Sequence, residues 1–279
     1  GRGADYVPVP STVDAGSAVV PGPAATPVIA AGVPVGGAGA VPAGAAVPAG
    51  GQGTASMIRM PWPQFPGMVA GSPGGSATST DIPHSSPHMV TELQLANNDV
   101  TAIRLARFPA LRLLTVSNND LPSLQGASEA QGLLAIAADD NNLTSLHGLA
   151  NLPQLVWFKA TNNDITSLAG ASNVPNLRYL CLANNSLKDT AGIQTMAGLS
   201  HVDLSSNDIK SLAGMEALTG LAGLDVSQND LTDADMVMRL AALPNLAFVD
   251  VRGNDFSAVD KQRMRDHFAA AKPSLVFMV

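Results

Sequence analysis

Five histidines, one cysteine and one short run of acids and amides are the side chains of this 279-residue chain that could do chemistry. His84 and His88 stand four apart, the spacing of a metal pair on one helix face. Ser85, Ser86 and Pro87 lie between them, and the proline breaks the turn that would align the two rings. Asp139-Asp140-Asn141-Asn142 offers oxygens of the kind calcium takes, but not at the alternating positions of a calcium loop. Cys181 would need an imidazole oriented toward it to act as a nucleophile, and neither His147 nor His201 is placed for that. It reads as a quiet surface thiol. As the single cysteine it also rules out an intramolecular disulfide and any cysteine-cluster metal site. No phosphate loop, dinucleotide fingerprint or serine elbow is present. The expectation is a protein without catalytic residues, metal or cofactor. Asn142-Leu143-Thr144 and Asn184-Asn185-Ser186 have the form of glycosylation acceptors, which would matter only in a secreted chain.

The residue type that does recur at fixed spacing is asparagine. Aligned on it, the segments read LQLANNDV, LTVSNNDL, IAADDNNL, FKATNNDI, LCLANNSL, VDLSSNDI, LDVSQNDL and VDVRGNDF. The shared positions are Asn98, Asn119, Asn141, Asn163, Asn185, Asn207, Asn229 and Asn254, with spacings of 21, 22, 22, 22, 22, 22 and 25. A constant period of this length means a solenoid. Within one unit, two apolar residues at i and i+2, such as Leu180 and Leu182, turn one face of a short strand inward. The asparagine follows three residues later, where the chain leaves the sheet and its backbone groups lose their ladder partners. An amide offers donors and an acceptor without charge, so stacked amides can satisfy one turn after another. Aspartate there would bury a charge and lose the donors. One unit buries about seven apolar groups at about 1.5–3 kcal/mol each. Ordering its residues costs about 1–2 kcal/mol apiece, so single units cannot stand alone and must stack.

With its LxxLxLxxNxL pattern running from Val90 to Phe256, the chain resembles the leucine-rich repeat family. The period resembles the 22-residue class of bacterial internalins and of phosphatase-regulating and axonemal repeat proteins. The resemblance implies an α/β solenoid, a horseshoe whose parallel strands line a concave face, with short 3₁₀ or irregular segments on the convex face. It implies protein recognition as the shared activity and carries over no catalytic residue. Ala138 and Ala160 depart from the pattern where the second strand leucine is expected, which predicts a thinner core there.

The solenoid is expected to hold eight units over residues 90–256. A cap of one helix and one short strand is expected over 257–279. Thr232 with Asp235, and Ser257 with Asp260, have the spacing of helix caps; the second predicts a helix over 258–271, ended by Lys272-Pro273. The N-terminal end shows no comparable element after residue 83, so part of the preceding segment is expected to cover it.

Strand residues that alternate with the inward pair are expected to face outward on the concave sheet, in columns about 4.8 Å apart. One column reads Glu92, Leu113, Ala135, Trp157, Tyr179, His201, Gly223, Phe248. The next reads Gln94, Thr115, Ala137, Lys159, Cys181, Asp203, Asp225, Asp250. Trp157, Tyr179 and His201 fall on three neighbouring strands, predicting an exposed aromatic patch beside an acidic strip of Asp203, Asp225 and Asp250. Aromatics flanked by charge are the usual anatomy of a protein-binding hot spot, so these residues, with Lys159 and Phe248, are the candidate partner site.

Residues 1–89 differ in kind. They hold 14 of the 20 prolines and 16 of the 26 glycines, and their only charges are Arg2, Asp5, Asp14, Arg59 and Asp81. Such low-complexity sequence buries too little to order itself and reads as an extended arm or linker with a reach on the order of 275 Å at about 3.1 Å per residue. Prolines every few residues exclude a spanning helix. Within the arm, residues 57–69 concentrate Trp62 and Phe65 between prolines, an apolar anchor for this chain's own first repeat or for another subunit. A net charge of −7 without a basic run argues against nucleic acid. The reading is a non-catalytic interaction or structural subunit with protein partners in a larger assembly, peripheral association with a membrane complex being compatible. An adaptor for an enzyme such as a phosphatase, and a secreted or surface recognition protein with a stalk, remain alternatives. A first residue other than Met tilts the expectation toward an organelle or extracytoplasmic location after leader removal, with the compartment itself undetermined.

Overall fold

The computed structural model describes residues 68–71 and 85–279. Trp62, Phe65 and all of the arm before Met68 lie outside the described residues.

Short runs of alternating inward residues make short strands, and the constant period brings each strand back beside the one before. The result is a single parallel sheet of ten strands in sequence order: β1 (Met68–Gly71), β2 (Val90–Gln94), β3 (Leu113–Thr115), β4 (Ala135–Ala137), β5 (Trp157–Lys159), β6 (Tyr179–Cys181), β7 (His201–Asp203), β8 (Gly223–Asp225), β9 (Phe248–Asp250) and β10 (Val276–Met278). From β2 to β9 the register is uniform, so that Leu113, Ala135, Trp157, Tyr179, His201, Gly223 and Phe248 succeed one another across the sheet. β1, which comes from the proline- and glycine-rich segment, pairs with β2 and extends the sheet at its N-terminal end.

Behind the sheet runs one continuous core. Val90, Leu93, Leu114, Ile136, Phe158, Leu180, Val202, Leu224 and Val249 are buried in it, as are the convex-side residues such as Leu124, Leu146, Leu168, Leu199 and Leu221. Ala138 and Ala160 are fully buried, and Phe158, one of the largest side chains of the core, sits on the strand that leads into Ala160. Large and small inward residues thus alternate along one face. The convex return is made of turns and short 3₁₀ segments, among them Ala127–Glu129, Ile193–Met196 and Met215–Ala217. Five of the returns pass a glycine with positive φ: Gly126, Gly148, Gly170, Gly192 and Gly214. At Gly148 φ is +107° and an added Cβ would sit 2.2 Å from the carbonyl of Leu124 in the previous coil, so only glycine lets the coils approach there.

The C-terminal coils are different. α1 (Ala234–Arg239) is capped by Asp233, whose side chain accepts from the amides of Asp235 and Met236. The cap therefore lies one residue after Thr232, the position that the sequence spacing pointed to. α2 (Ala258–Ala271) begins at Ser257: its Oγ accepts from the Asp260 amide at 3.1 Å and donates to Asp260 Oδ2 at 2.7 Å. Met264 and Phe268 on α2 are buried, and Phe268 stacks on Phe277 of β10 at 4.3 Å. The last strand and last helix are thereby held to each other as well as to the preceding coil.

Candidate functional site

The geometry of the concave face is set by the asparagines beneath its edge. Each one after the first reaches back to the preceding coil. Asn163 is representative: its Nδ2 donates to the Ala138 carbonyl at 3.0 Å and its Oδ1 accepts from the Leu143 amide at 3.0 Å. The same pair of bonds ties Asn119 to Leu95 and Val100, Asn141 to Val116 and Leu121, and Asn185 to Ala160 and Ile165. It ties Asn207 to Leu182 and Leu187, Asn229 to Leu204 and Ile209, and Asn254 to Val226 and Leu231. Asn98, in the first unit, donates to its own Ala96 carbonyl. All of these asparagines but Asn185, which is half-buried, are shielded from solvent.

A second rail lies outside the first. The residue just before each ladder asparagine has a left-handed backbone, at Asn97, Asn118, Asp140, Asn162, Asn184, Ser206 and Gln228, with Gly253 in the last unit. Asparagine and aspartate tolerate this conformation best among residues with a side chain. Three of the four successive pairs bond across coils: Asn118 to Asn97 at 2.7 Å, Asn162 to Asp140 at 2.7 Å, and Asn184 to Asn162 at 2.6 Å. The doubled amide of the NND motif carried this signal, which the reading of the sequence did not use.

On the concave surface the aromatic residues do meet. Trp157 stacks on Tyr179 with centroids 4.2 Å apart, and Tyr179 on His201 at 5.1 Å. They are not uniformly exposed as expected. Trp157 retains only 6% of its surface and forms a small apolar cluster with Leu113 and Ala135, against which Val156 and Tyr179 pack. The cause is lateral: strands this close let a large ring lie flat over its smaller neighbour. Tyr179, His201 and Phe248 are half-buried and offer the accessible part of this row. The His201 ring is hydrogen-bonded to Ser200 Oγ at 3.0 Å, and burial holds its pKa below the usual imidazole value.

The acidic strip departs further from expectation. Asp203, Asp225 and Asp250 occupy successive strands in register, but all three are buried, Asp225 completely. The reason is local bonding. Asp203 Oδ1 accepts from the amide and hydroxyl of Ser205, and Asp225 Oδ1 from those of Ser227, so each carboxylate is folded down onto its own strand end. Asp250 takes the guanidinium of Arg252, with Nη2 at 2.6 Å from Oδ2. Among the described residues, Asp225 Oδ2 has no hydrogen-bond partner. Cys181 is likewise buried rather than on the surface, with Sγ 3.4 Å from Thr161 Oγ1 and 3.7 Å from Asp203 Oδ2. Burial, reinforced by the Asp203 charge, pushes its thiol up to about 11, so it carries no thiolate at neutral pH. Lys159 is paired with Asp139 at 2.6 Å while keeping 43% of its side chain exposed.

Among the described residues, no group of three or more His, Cys, Asp and Glu side chains is arranged to hold a metal ion. No helix among them is long and apolar enough to cross a membrane.

A parallel sheet that coils with an asparagine rail at every turn is the architecture of the leucine-rich repeat solenoid, and the chain has that fold. Its solved neighbours agree. An internalin, InlF, from Listeria monocytogenes superposes with a TM-score of 0.60 at 20% identity, covering 70% of this chain and 56% of that one. Internalin C2 from the same organism gives 0.59 at 20% identity, covering 69% and 81%. A leucine-rich repeat protein from Leptospira interrogans gives 0.57 at 21% identity, covering 69% and 55%. The chain thus spans little more than half the length of the first and third of these. The sequence matches no protein-family model and no curated protein.

Proposed function

We propose that this protein is a non-catalytic recognition or structural subunit that binds a protein partner through the concave face, with the N-terminal arm, including Trp62 and Phe65, as a second point of attachment. The observation that carries this reading is the half-buried row of Tyr179 and His201, stacked and therefore rigid, with the Lys159 ammonium one column away. Rings whose rotamers are already fixed lose little entropy on binding. Two attachments on one chain raise avidity without either being tight.

The test is affinity capture with the full chain, followed by titration of the captured partner. Replacing Tyr179 and His201 together with alanine is expected to weaken the complex at least tenfold, while urea unfolding stays cooperative. Undiminished binding by the double variant would remove the concave row from the interface. Limited proteolysis of the free chain and of the complex tests the arm: protection of residues 1–80 only in the complex supports its attachment.

A further inference from the structure

We propose that the C-terminal half of the concave face contains a proton-binding element centred on Asp225, which takes up a proton in mildly acidic solution and thereby both strengthens the fold and removes one negative charge from the face. Asp225 lies on β8 with no exposed surface. Asp203 of β7 and Asp250 of β9 stand on either side in direct register. One of its carboxylate oxygens is held by Ser227, and the other, Oδ2, is buried without a donor among the described residues.

The repeat itself supplies the comparison. Arg252 follows Asp250 by two residues and delivers a guanidinium to it. At the equivalent position in the two preceding coils stand Ser205 and Ser227, which donate hydrogen bonds but bring no charge. Among the described residues, one of the three aligned carboxylates is paired with a cation and two are not. A buried carboxylate with a bare oxygen between two others is the arrangement in which neutralisation by a proton is favoured. Burial first, then the charges of Asp203 and Asp250, push the Asp225 carboxyl up to about 6, against the pull of the Ser227 bonds. Arg252, on the segment after β9, is the cation that acts on Asp225 as well as on Asp250. Cys181 of β6 is the titratable group that meets the neighbouring Asp203, and His201 lies on β7 in the adjoining column.

The sign follows from linkage. A carboxyl whose folded value is raised binds more protons when folded, so its stabilising effect is full below the unfolded value near 4 and is lost as pH rises through about 6. His201 acts in the opposite sense: its lowered value makes the folded state resist protonation, so stability is lost there as pH falls below about 6.5. The wild-type melting curve mixes the two, and the difference between variants separates them.

Thermal unfolding of the full chain at pH 5 and pH 8 is to be compared with that of Asp225→Asn, which keeps the shape and removes the titration. The Tm difference, variant minus wild type, is expected to be larger at pH 8 than at pH 5 by ~3–5 °C. Asp250→Asn, which strands Arg252 and removes only the smallest of the influences that raise Asp225, is expected to show a smaller increase. Carbon-13 carboxyl shifts of the wild-type chain give a second, mutation-free readout, with the Asp225 midpoint expected near pH 6. An Asp225 midpoint at or below 4.5, or a variant difference independent of pH, overturns the proposal. Failure of Asp225→Asn to fold leaves the carboxyl titration as the deciding measurement.

Discussion

A single asparagine in this protein performs three tasks that no other side chain combines. In Asn163 the amide nitrogen satisfies a carbonyl of the coil before, the amide oxygen satisfies an amide of the same earlier coil, and the group does so without charge in a shielded place. Removing it strands buried backbone groups, each of which costs about 1–3 kcal/mol when left without a partner. Asn163→Ala is therefore expected to destabilise the chain by about 2–4 kcal/mol, read as a lower urea midpoint with little change in slope. Asn185→Ala is expected to cost less, because that asparagine is half-buried and water can reach the broken bonds. Equal losses at the two positions would show that burial does not set the value of the rail. The exposed second rail, from Asn97 to Asn184, adds bonds in full contact with solvent, where each contributes only a fraction as much.

At the scale of the element, neighbouring strands matter more than the strand itself. Each is three residues long over most of the sheet and has few contacts of its own; what fixes it is the coil on either side. Trp157 shows the consequence. An alternation rule places it outward on β5, yet its ring is covered because β6 brings Tyr179 over it and β4 offers only Ala135 beneath. Trp157→Ala is accordingly expected to lower stability by about 3–5 kcal/mol, visible as a drop in Tm even where binding is unaffected; a Tm within 1–2 °C of wild type would contradict its burial. Here lies the boundary of what was legible beforehand. The period, the inward leucines and the ladder asparagines could be read because each repeats as a residue type at a fixed offset. The burial of Asp203, Asp225 and Cys181 could not, because it depends on what faces them across strands and on serines two residues away, a local bond rather than a pattern. The Asp233 cap was displaced by one position for a similar reason: Thr232 and Asp233 are both competent caps, and only the packing of α1 chooses between them. β1 could not be read as a strand, since four residues among prolines and glycines are too few to display a period; only the apolar run 57–69, which ends in its first two residues, pointed toward the first repeat.

For the whole molecule, stability is close to a sum over coils and their interfaces, and this makes length adjustable in steps of one period. Deleting residues 142–163 removes one coil and joins Asn141 directly to Asp164, which keeps an apolar residue, Ile165, two positions after the ladder asparagine and sets β4 beside β6. That chain is expected to fold cooperatively with a modestly lower Tm. Deleting the eleven residues 153–163 removes half a period and puts convex-side residues where a strand should be. It is expected to lose the fold from that coil onward, measured by circular dichroism and urea unfolding. If both deletions behave alike, the coils are not the units of stability. The same additivity explains why the charge element around Asp225 can act on the C-terminal coils without involving those near β2.

Every ladder asparagine after the first grips the coil that precedes it in the chain. During synthesis this gives the molecule a direction of construction. Each ladder amide leaving the ribosome finds its carbonyl acceptor and its amide donor on a coil that already exists, whereas backbone amides at the strand ends, such as those of Leu95 and Val116, find their acceptors only on the next coil. Each new turn therefore closes on the one before and presents a row of donors to the one after.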